Sequence, residues 1–373
     1  MKTNTRVMWR ISWILVWVLS GWISSVTAQN SGEVLLSPDN AYNPIPSPDG
    51  KLIAYVRTGW GRRGGTGGFG RSNLVSEVAV ISADGTLLTK VAIADTFISG
   101  WTADGARLIC YRDWNYFLVS LDGTRTTEGQ IPAAGGDLNN RPEWVSFSSS
   151  LATIVWSRMV DEYQWTIETP ERTVATTTVA NTQSPIGPRA VPSPDGRYIA
   201  VFGQFSPTEL WVYDTRSGRW SDLGKIIVHP SQDWNYIQPA WSPWFADSSR
   251  LAFFLGSTLV ISTPDGQHKS ETFVDGQTGL PVASPDGQSI AFLTYEPRPM
   301  KGNASAQFWG GSTIWAISTK PGSKPRVVSR KSDDATYDLN WLKNNTIVFD
   351  RVADEVFYRR ARIWKANVPP TSR

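Results

Sequence analysis

The stretch Ser47-Pro48-Asp49-Gly50-Lys51-Leu52-Ile53-Ala54-Tyr55 decides the fold, because near-copies of it return twice. They are Ser193-Pro194-Asp195-Gly196-Arg197-Tyr198-Ile199-Ala200-Val201 and Ser284-Pro285-Asp286-Gly287-Gln288-Ser289-Ile290-Ala291-Phe292. In each copy Pro fixes φ before Asp-Gly, and Gly accepts the positive φ that a tight hairpin needs. The residues that follow are largely apolar, with β-branched and aromatic side chains typical of a half-buried strand. Three copies of one hairpin unit predict a repeat architecture.

Four weaker copies fill the gaps between the strong ones. With anchors at Ser47, Thr102, Val145, Ser193, Ser242, Ser284 and Leu342, the spacings are 55, 43, 48, 49, 42 and 58 residues. A four-stranded propeller blade takes roughly 40–45 residues, and the surplus is loop. No helical stripe of apolar residues competes after residue 28. We therefore predict an all-β fold, a seven-bladed β-propeller of four-stranded antiparallel blades, with six blades as the alternative.

The two ends of the chain predict how the ring closes. The last unit stops near Val368-Pro369-Pro370, right after its third strand, so its outer strand is missing. A spare strand, Glu33-Val34-Leu35-Leu36, precedes the first unit. Pairing the two would remove two exposed sheet edges. We therefore predict that the N-terminal strand completes the seventh blade.

The first 28 residues have the pattern of a secretory signal peptide. Lys2, Arg6 and Arg10 form a basic region, residues 11–23 an apolar core, and Val26-Thr27-Ala28 a cleavage point of small residues. The alternative is that this segment is an uncleaved membrane anchor. We expect contact with a membrane only if the segment is not cleaved. We expect a periplasmic or secreted protein in which residues 29–373 form one propeller domain, as a monomer.

Charge and composition limit the possible chemistry. The first 28 residues hold three of the 36 basic residues and none of the 33 acidic ones, so the remainder has 33 of each. A nucleic-acid partner therefore loses its main support, and we expect none. The single Cys110, inside an apolar strand pattern, is predicted to be an inert buried thiol. With two His in the chain, we expect neither metal nor cofactor.

The repeated unit resembles the WD40-like repeat (PD40) of TolB-type β-propellers. The resemblance covers nearly all of the chain after residue 28, with three close and four degenerate matches. It implies the propeller fold, whereas the families that share the repeat differ widely in function. They include envelope scaffolds, the gating propellers of prolyl-oligopeptidase-type enzymes and polysaccharide-active proteins. TolB itself usually has six blades and an additional N-terminal domain, and we expect neither here, which does not favour the role of TolB in particular.

Binding is expected on the face opposite the short Asp-Gly turns, where the longer connections lie. Two insertions belong to that face, residues 59–73 and 296–312, and they flank blade seven if blades one and six are its neighbours. Together they predict a basic and aromatic surface suited to a protein, a peptide or an anionic ligand. The candidate residues there are Trp60, Arg62, Arg63, Phe69, Arg71, Arg298, Trp309, Arg359 and Arg360.

A tetrapeptide occurs twice, as Asp113-Trp114-Asn115-Tyr116 and as Asp233-Trp234-Asn235-Tyr236. Flat aromatic side chains beside carboxylate and amide groups suit sugar rings or extended peptides, which makes Trp114, Tyr116, Trp234 and Tyr236 further candidates. The competing interpretation, packing between blades, is favoured because Trp recurs throughout the chain.

Motifs for catalysis are absent from the sequence. It has no Gly-x-Ser-x-Gly elbow and no Cys-x-x-Cys pair. Adjacent carboxylates such as Asp161 and Glu162 would point to opposite faces of a strand. The sequence therefore predicts a non-catalytic, exported scaffold that binds a protein or peptide partner in the cell envelope. The alternative is a propeller that binds a glycan or cleaves a polysaccharide.

Overall fold

The structure, a computed structural model, describes residues 32–37, 40–60, 74–91, 97–112, 115–131, 142–161, 164–178, 188–202, 208–226, 242–279, 281–295, 298–300, 303–308, 312–329, 336, 338–354 and 359–370. Within these ranges every regular element is a β-strand, and the strands form seven antiparallel blades. The predicted all-β, seven-bladed propeller is therefore confirmed, and the six-bladed alternative is excluded.

The chain begins with β1 (Glu33–Ser37) and then builds the first four blades in order, each from the axis outward. Blade 1 comprises β2 (Ala41–Pro46), β3 (Leu52–Trp60), β4 (Leu74–Ser82) and β5 (Leu87–Val91). Blade 2 comprises β6 (Phe97–Trp101), β7 (Arg107–Arg112), β8 (Asn115–Ser120) and β9 (Arg125–Gln130). Blade 3 comprises β10 (Pro142–Phe147), β11 (Ile154–Asp161), β12 (Gln164–Thr169) and β13 (Arg172–Thr178). Blade 4 comprises β14 (Arg189–Pro192), β15 (Tyr198–Phe202), β16 (Thr208–Asp214) and β17 (Trp220–Ile226).

The last three blades are less regular. Among the described residues, blade 5 comprises β18 (Leu251–Leu255), β19 (Thr258–Ser262) and β20 (Lys269–Phe273), with a bridge between Trp244 and Leu251 on the axial side. Blade 6 has an inner strand in two pieces, β21 (Gln277–Thr278) and β22 (Val282–Ala283), followed by β23 (Ser289–Tyr295), β26 (Thr313–Ser318) and β27 (Arg326–Ser329). Blade 7 comprises β28 (Leu339–Lys343), β29 (Thr346–Asp354) and β30 (Arg359–Asn367).

The N-terminal strand closes the ring, as predicted. β1 pairs antiparallel with β30, from Glu33 opposite Ala366 to Ser37 opposite Ile363. The Glu33 carboxylate lies 2.7 Å from Nη2 of Arg351 and also accepts a hydrogen bond from the Ser329 hydroxyl. Blade 7 therefore takes its outer strand from the start of the chain, and this strand is also linked to blade 6 by a hydrogen bond.

Clusters of buried apolar side chains fill all seven interfaces between neighbouring blades in the described part of the chain. The cluster with Leu36, Ile53 and Val348 joins blades 7 and 1, and the one with Tyr295 and Phe349 joins blades 6 and 7. Blades 6 and 1 therefore flank blade 7, as the sequence analysis assumed. Because every blade packs on two neighbours, the ring forms a rigid support for the segments at its two faces.

Tryptophans on the inner strands add a repeated hydrogen bond between blades. The indole N–H groups of Trp101, Trp244 and Trp341 donate to the backbone carbonyls of Ile45, Val191 and Val282, at 2.8–2.9 Å. Each acceptor lies on the inner strand of the preceding blade. A buried indole needs such a partner, so in these blades Trp serves as packing material and not as a ligand platform.

The turn between the first two strands of a blade varies more than its sequence copies indicate. In blades 3 and 5 it begins at Ser148 and Phe245, three residues beyond the predicted anchors Val145 and Ser242. Leu151 and Ser248, with φ of 57° and 61°, take the place that Gly50 holds in blade 1 with φ of 65°. Both turns keep the backbone hydrogen bonds of the Ser-Pro-Asp-Gly turn without its Gly.

Part of each predicted insertion is strand. β3 and β4 continue their pairing outward to Trp60 opposite Leu74, so the first insertion leaves from the tip of a long hairpin. Within the second insertion, β24 (Arg298–Met300) pairs with β25 (Asn303–Phe308). The described strands from which the insertions leave, β3 and β4 in blade 1 and β23 and β26 in blade 6, are the second and third strands of blades on either side of blade 7.

Candidate functional site

The carboxylates of the Asp-Gly turns have a structural role. The Asp49 Oδ1 accepts hydrogen bonds from the Ser47 hydroxyl at 2.7 Å and from the Lys51 N–H at 3.1 Å. The same pair of bonds forms at Asp104, Asp195, Asp265 and Asp286. At Asp49 they lower the pKa to about 2, the Ser47 hydroxyl contributing most. These carboxylates therefore stabilise their own turns as ions and are poor candidates for acid or base chemistry.

A buried charged cluster lies at the propeller axis. Arg189 at the start of β14 is 2% exposed, and its charge interacts with Tyr111 at the end of β7 and with Asp338 just before β28. These residues belong to blades 4, 2 and 7, none of which are neighbours, so they can approach one another at the axis alone. The buried charge of Arg189 therefore interacts with ionisable groups of two other blades.

Two carboxylates of this cluster face each other in blade 7. Asp338 donates its backbone N–H to Oδ1 of Asp350 at 3.1 Å, and the Asp350 N–H donates to the Asp338 carbonyl at 3.1 Å. Burial, and then the charge of Asp350, raise the pKa of Asp338 well above its usual range, although Arg189 opposes this. Burial also lowers the pKa of Arg189 to about 9. Both shifts follow chiefly from the burial of charge, and the neighbouring carboxylate adds to the shift at Asp338.

A pocket of about 230 Å³ lies at the axis next to this cluster, on the side of the short turns. Its walls come from the inner strands and turns of blades 1 to 4, with Ser242 from blade 5. Prolines, hydroxyl groups and two aromatic side chains line it: Pro46, Pro48, Ser99, Trp101, Ser146, Phe147, Ser149, Pro192, Pro194 and Ser242. Val191 in its wall is two residues from Arg189, so the buried cluster lies close to its inner end.

A second and larger cavity, a groove of about 480 Å³, opens between blades 3 and 4. It is lined by turns of both blades, residues 151–154, 169–172, 195–197, 213, 215 and 216, with Tyr116 of blade 2 at one wall. Arg172, Arg197 and Arg216 all contribute to the lining. The groove therefore lies on the face of the short turns, opposite the one on which the sequence analysis expected binding.

Tyr116 is the predicted candidate whose side chain the structure places. Its ring packs against Phe147 of blade 3 at 5.4 Å between centroids, and its hydroxyl lies so close to Gly129 that a Cβ there would collide with it. Tyr116 therefore packs between blades, which is the interpretation that competed with ligand binding. It also lines the groove.

The other candidates are not tested by the described side chains. Backbone positions are described for Trp60, Arg298, Arg359 and Arg360, each within a strand. Outside the described residues lie Arg62, Arg63, Phe69, Arg71, Trp114, Trp234, Tyr236 and Trp309. The basic and aromatic surface beside blade 7 therefore stays a prediction, as does the role of residues 1–28.

Four residues of the groove and the axial cluster are not among those predicted from the sequence: Arg172, Arg189, Arg216 and Asp338. Arg189 lies four residues before Ser193, at the start of an otherwise apolar strand. A charged residue in such a strand is the sequence signal that could have identified it. The arginines of the groove stand in polar turns and carry no such signal.

Cys110 behaves as predicted. Its thiol is buried between blades 1 and 2, and burial raises its pKa to about 12. Among the described residues, no group of three or more His, Cys, Asp or Glu side chains is placed to hold a metal ion. None of the described segments is a helix of the length and apolarity that crossing a membrane requires.

Comparison with known proteins supports the fold. No family model matches the chain, and the search of curated proteins gives no significant match. Among solved structures, the chain is similar to an oligogalacturonate lyase from Vibrio parahaemolyticus, with TM-score 0.55 and 10% identity over 91% of this chain and 92% of that one. It is equally similar to the Cps50 (Swd1) β-propeller domain from Myceliophteria thermophila, with TM-score 0.53 and 10% identity over 90% and 100% of the two chains.

TolB from Acinetobacter baumannii is also among the structural neighbours. Its TM-score is 0.41, with 14% identity over 89% of this chain and 72% of that one. That score is too low to support an argument about role, and identities of 10–14% over a common fold show the propeller and no shared activity. The chain is thus a seven-bladed propeller with TolB and WD40-type propellers among its neighbours, and membership of the PD40 family stays a prediction.

Proposed function

We propose that this protein is an exported, non-catalytic propeller scaffold that binds a protein or peptide partner in the cell envelope. The observation that carries the proposal is the groove between blades 3 and 4, a concavity of about 480 Å³ lined by the tight turns of two packed blades. Export rests on the signal-like segment of residues 1–28.

Rigidity is what makes the groove suitable for recognition. Thr153 donates its hydroxyl to the Gly196 carbonyl at 2.7 Å, which links the groove-lining turns of blades 3 and 4. The Thr215 hydroxyl donates to the Arg197 carbonyl at 2.7 Å within blade 4. Because these turns are already ordered, a partner would lose less conformational entropy on binding than it would against flexible loops.

The described carboxylates favour binding over catalysis. Those of the Asp-Gly turns accept hydrogen bonds from their own turns, and the axial pair of Asp338 and Asp350 is buried beside Arg189. General acid or base catalysis needs a carboxyl group within reach of a substrate. The Asp-Gly carboxylates are already engaged by their own turns and the axial pair is buried, which does not favour this role, whereas Arg and Tyr, which line the groove, are the residues that most often anchor a protein interface.

Site-specific photo-crosslinking in the native envelope tests the proposal. A photoreactive residue at Pro170, in the groove-lining turn of blade 3, is expected to give a discrete protein adduct that mass spectrometry can identify. Lys320 is the matched control, because it lies in the equivalent turn of blade 6, away from the groove. The purified partner should then bind the purified propeller and protect Pro170.

Incubation of the purified protein with oligogalacturonate and other polysaccharides tests the carbohydrate alternative. Shortened chains, together with the absence of a protein adduct at any crosslinker position, would overturn the scaffold proposal in favour of the carbohydrate alternative. Adducts restricted to positions in residues 59–73 or 296–312 would retain the scaffold but move its site to the opposite face.

A further inference from the structure

The groove between blades 3 and 4 presents three guanidinium groups from three separate segments. Arg172 is the first residue of the outer strand of blade 3, Arg197 follows the first turn of blade 4, and Arg216 lies in its second turn. Arg172 and Arg216 are exposed, and Arg197 is half-buried. Guanidinium groups bind carboxylates with paired, charge-assisted hydrogen bonds, so the lining is suited to an acidic ligand.

Two of these arginines are held in place before any ligand binds. Arg172 donates from Nη2 to the Thr215 carbonyl at 3.0 Å, and its guanidinium lies 5.4 Å from the centre of the Tyr213 ring. Arg197 lies 3.3 Å from Oδ2 of Asp214 and 4.7 Å from the centre of the Tyr198 ring. Since one edge of each guanidinium is fixed, the remaining donors are positioned at little entropic cost.

Three acidic residues lie near these arginines, and two of them already have partners in the turns. Asp195 accepts hydrogen bonds from Ser193 and from the Arg197 N–H, and Asp214 pairs with Arg197. Glu171 and Asp195, the acidic side chains of the lining, are both exposed. The three arginines and the three carboxylates therefore balance in charge, and the suitability of the groove for a carboxylate ligand depends on the exposed guanidinium donors of Arg172 and Arg216.

We propose that the groove binds an acidic segment of the partner, in which side-chain carboxylates pair with Arg172 and Arg216. This inference rests on the proposed function and specifies the chemistry of the partner. A peptide is favoured over an acidic sugar because both aromatic rings of the lining already have packing partners. The ring of Tyr116 packs against Phe147 at 5.4 Å between centroids. The ring of Tyr213 is covered by Arg172 and packs against Trp220 at 4.9 Å between centroids.

Fluorescence anisotropy with a defined probe tests the inference. The probe is a short fluorescein-labelled peptide of alternating Glu and Ser, and its control is the same peptide with Gln for Glu. We expect saturable binding of the Glu peptide, no binding of the Gln peptide, and affinity that falls as salt is raised. The double substitution Arg172→Gln with Arg216→Gln is expected to weaken binding by at least about tenfold.

Two matched variants make the result specific. Arg219→Gln removes an exposed arginine of the same blade that does not line the groove, and it should leave binding unchanged. Arg172→Lys keeps the charge but loses the paired geometry, so it should weaken binding by an intermediate amount. Thermal melting of each variant checks that it is folded.

Several outcomes would overturn the inference. They are unchanged affinity in the double variant, an equal loss in Arg219→Gln, or binding of oligogalacturonate in place of the Glu peptide. Failure of this inference differs from failure of the proposed scaffold function. If the crosslinkers capture a protein partner but the Glu peptide does not bind, the scaffold function is retained and the acidic-segment inference is rejected.

Discussion

Replacing Glu33 by Gln is predicted to destabilise the whole propeller through its closing strand. Glu33 is the first residue of β1, and its carboxylate is in contact with Arg351 and Ser329. The side chains of Glu33 and Arg351 retain 13% and 5% of their exposure, so neither partner is well solvated. Arg351 would then keep a buried charge without its counter-ion.

The magnitude follows from this burial. Removing one partner of a buried ion pair costs about 3–5 kcal/mol. Gln keeps the shape of Glu and can still accept one hydrogen bond from Arg351, so we expect the lower end, about 3 kcal/mol. Most domains have a free energy of unfolding of about 5–15 kcal/mol, so this loss would be large. Glu271→Gln, an exposed glutamate on the outer strand of blade 5, should change the free energy of unfolding by less than about 0.5 kcal/mol.

Urea unfolding of a double-mutant cycle measures the interaction. The variants are Glu33→Gln, Arg351→Met and the two combined, and hydrogen exchange at residues 33–37 and 361–367 reports whether the closing strand opens first. We expect the double variant to be more stable than the sum of the single effects predicts, by at least about 1 kcal/mol. Additivity within about 0.5 kcal/mol would refute the reasoning, because the two side chains would then contribute independently.

Three further predictions concern the repeated unit. Gly50→Ala should lower the free energy of unfolding by about 3 kcal/mol or more, because φ is 65° and the added Cβ would overlap a backbone carbonyl of blade 7. Gly123→Ala should lower it by about 1 kcal/mol, because φ is 84° but the space around the residue is open. The denaturant midpoints of the two variants compare these losses. Trp341→Phe removes the hydrogen bond to the inner strand of blade 6 and should lower the free energy of unfolding by about 1–3 kcal/mol in the same assay. An unchanged free energy of unfolding would show that this bond does not stabilise the fold. Because the pKa of Asp49 is lowered to about 2, its ionised carboxylate stabilises the fold above pH about 4, and this stabilisation is lost as pH falls towards about 2. Asp49→Asn should therefore flatten the pH dependence of the melting temperature between these values. An unchanged slope would contradict this prediction.

The sequence by itself determined the repeat, the number of blades and the closure of the ring. These depend on local signals, since a Pro-Asp-Gly turn followed by an alternating apolar strand is recognised within about ten residues. Closure could be predicted because the last unit lacks a strand and the first segment supplies one. Even where Gly is absent, as at Leu151 and Ser248, the flanking strands still indicated the turn.

Tertiary structure alone decided which polar residues meet. Arg189, Tyr111 and Asp338 stand in different blades, and the charge of Arg189 interacts with the other two because the ring brings these blades together around its axis. Arg172 and Arg216 share a groove because the turns of blades 3 and 4 pack side by side. Contacts of this kind depend on the relative placement of whole blades, which short-range sequence patterns do not encode. The site could therefore not be predicted from the same sequence that predicted the fold.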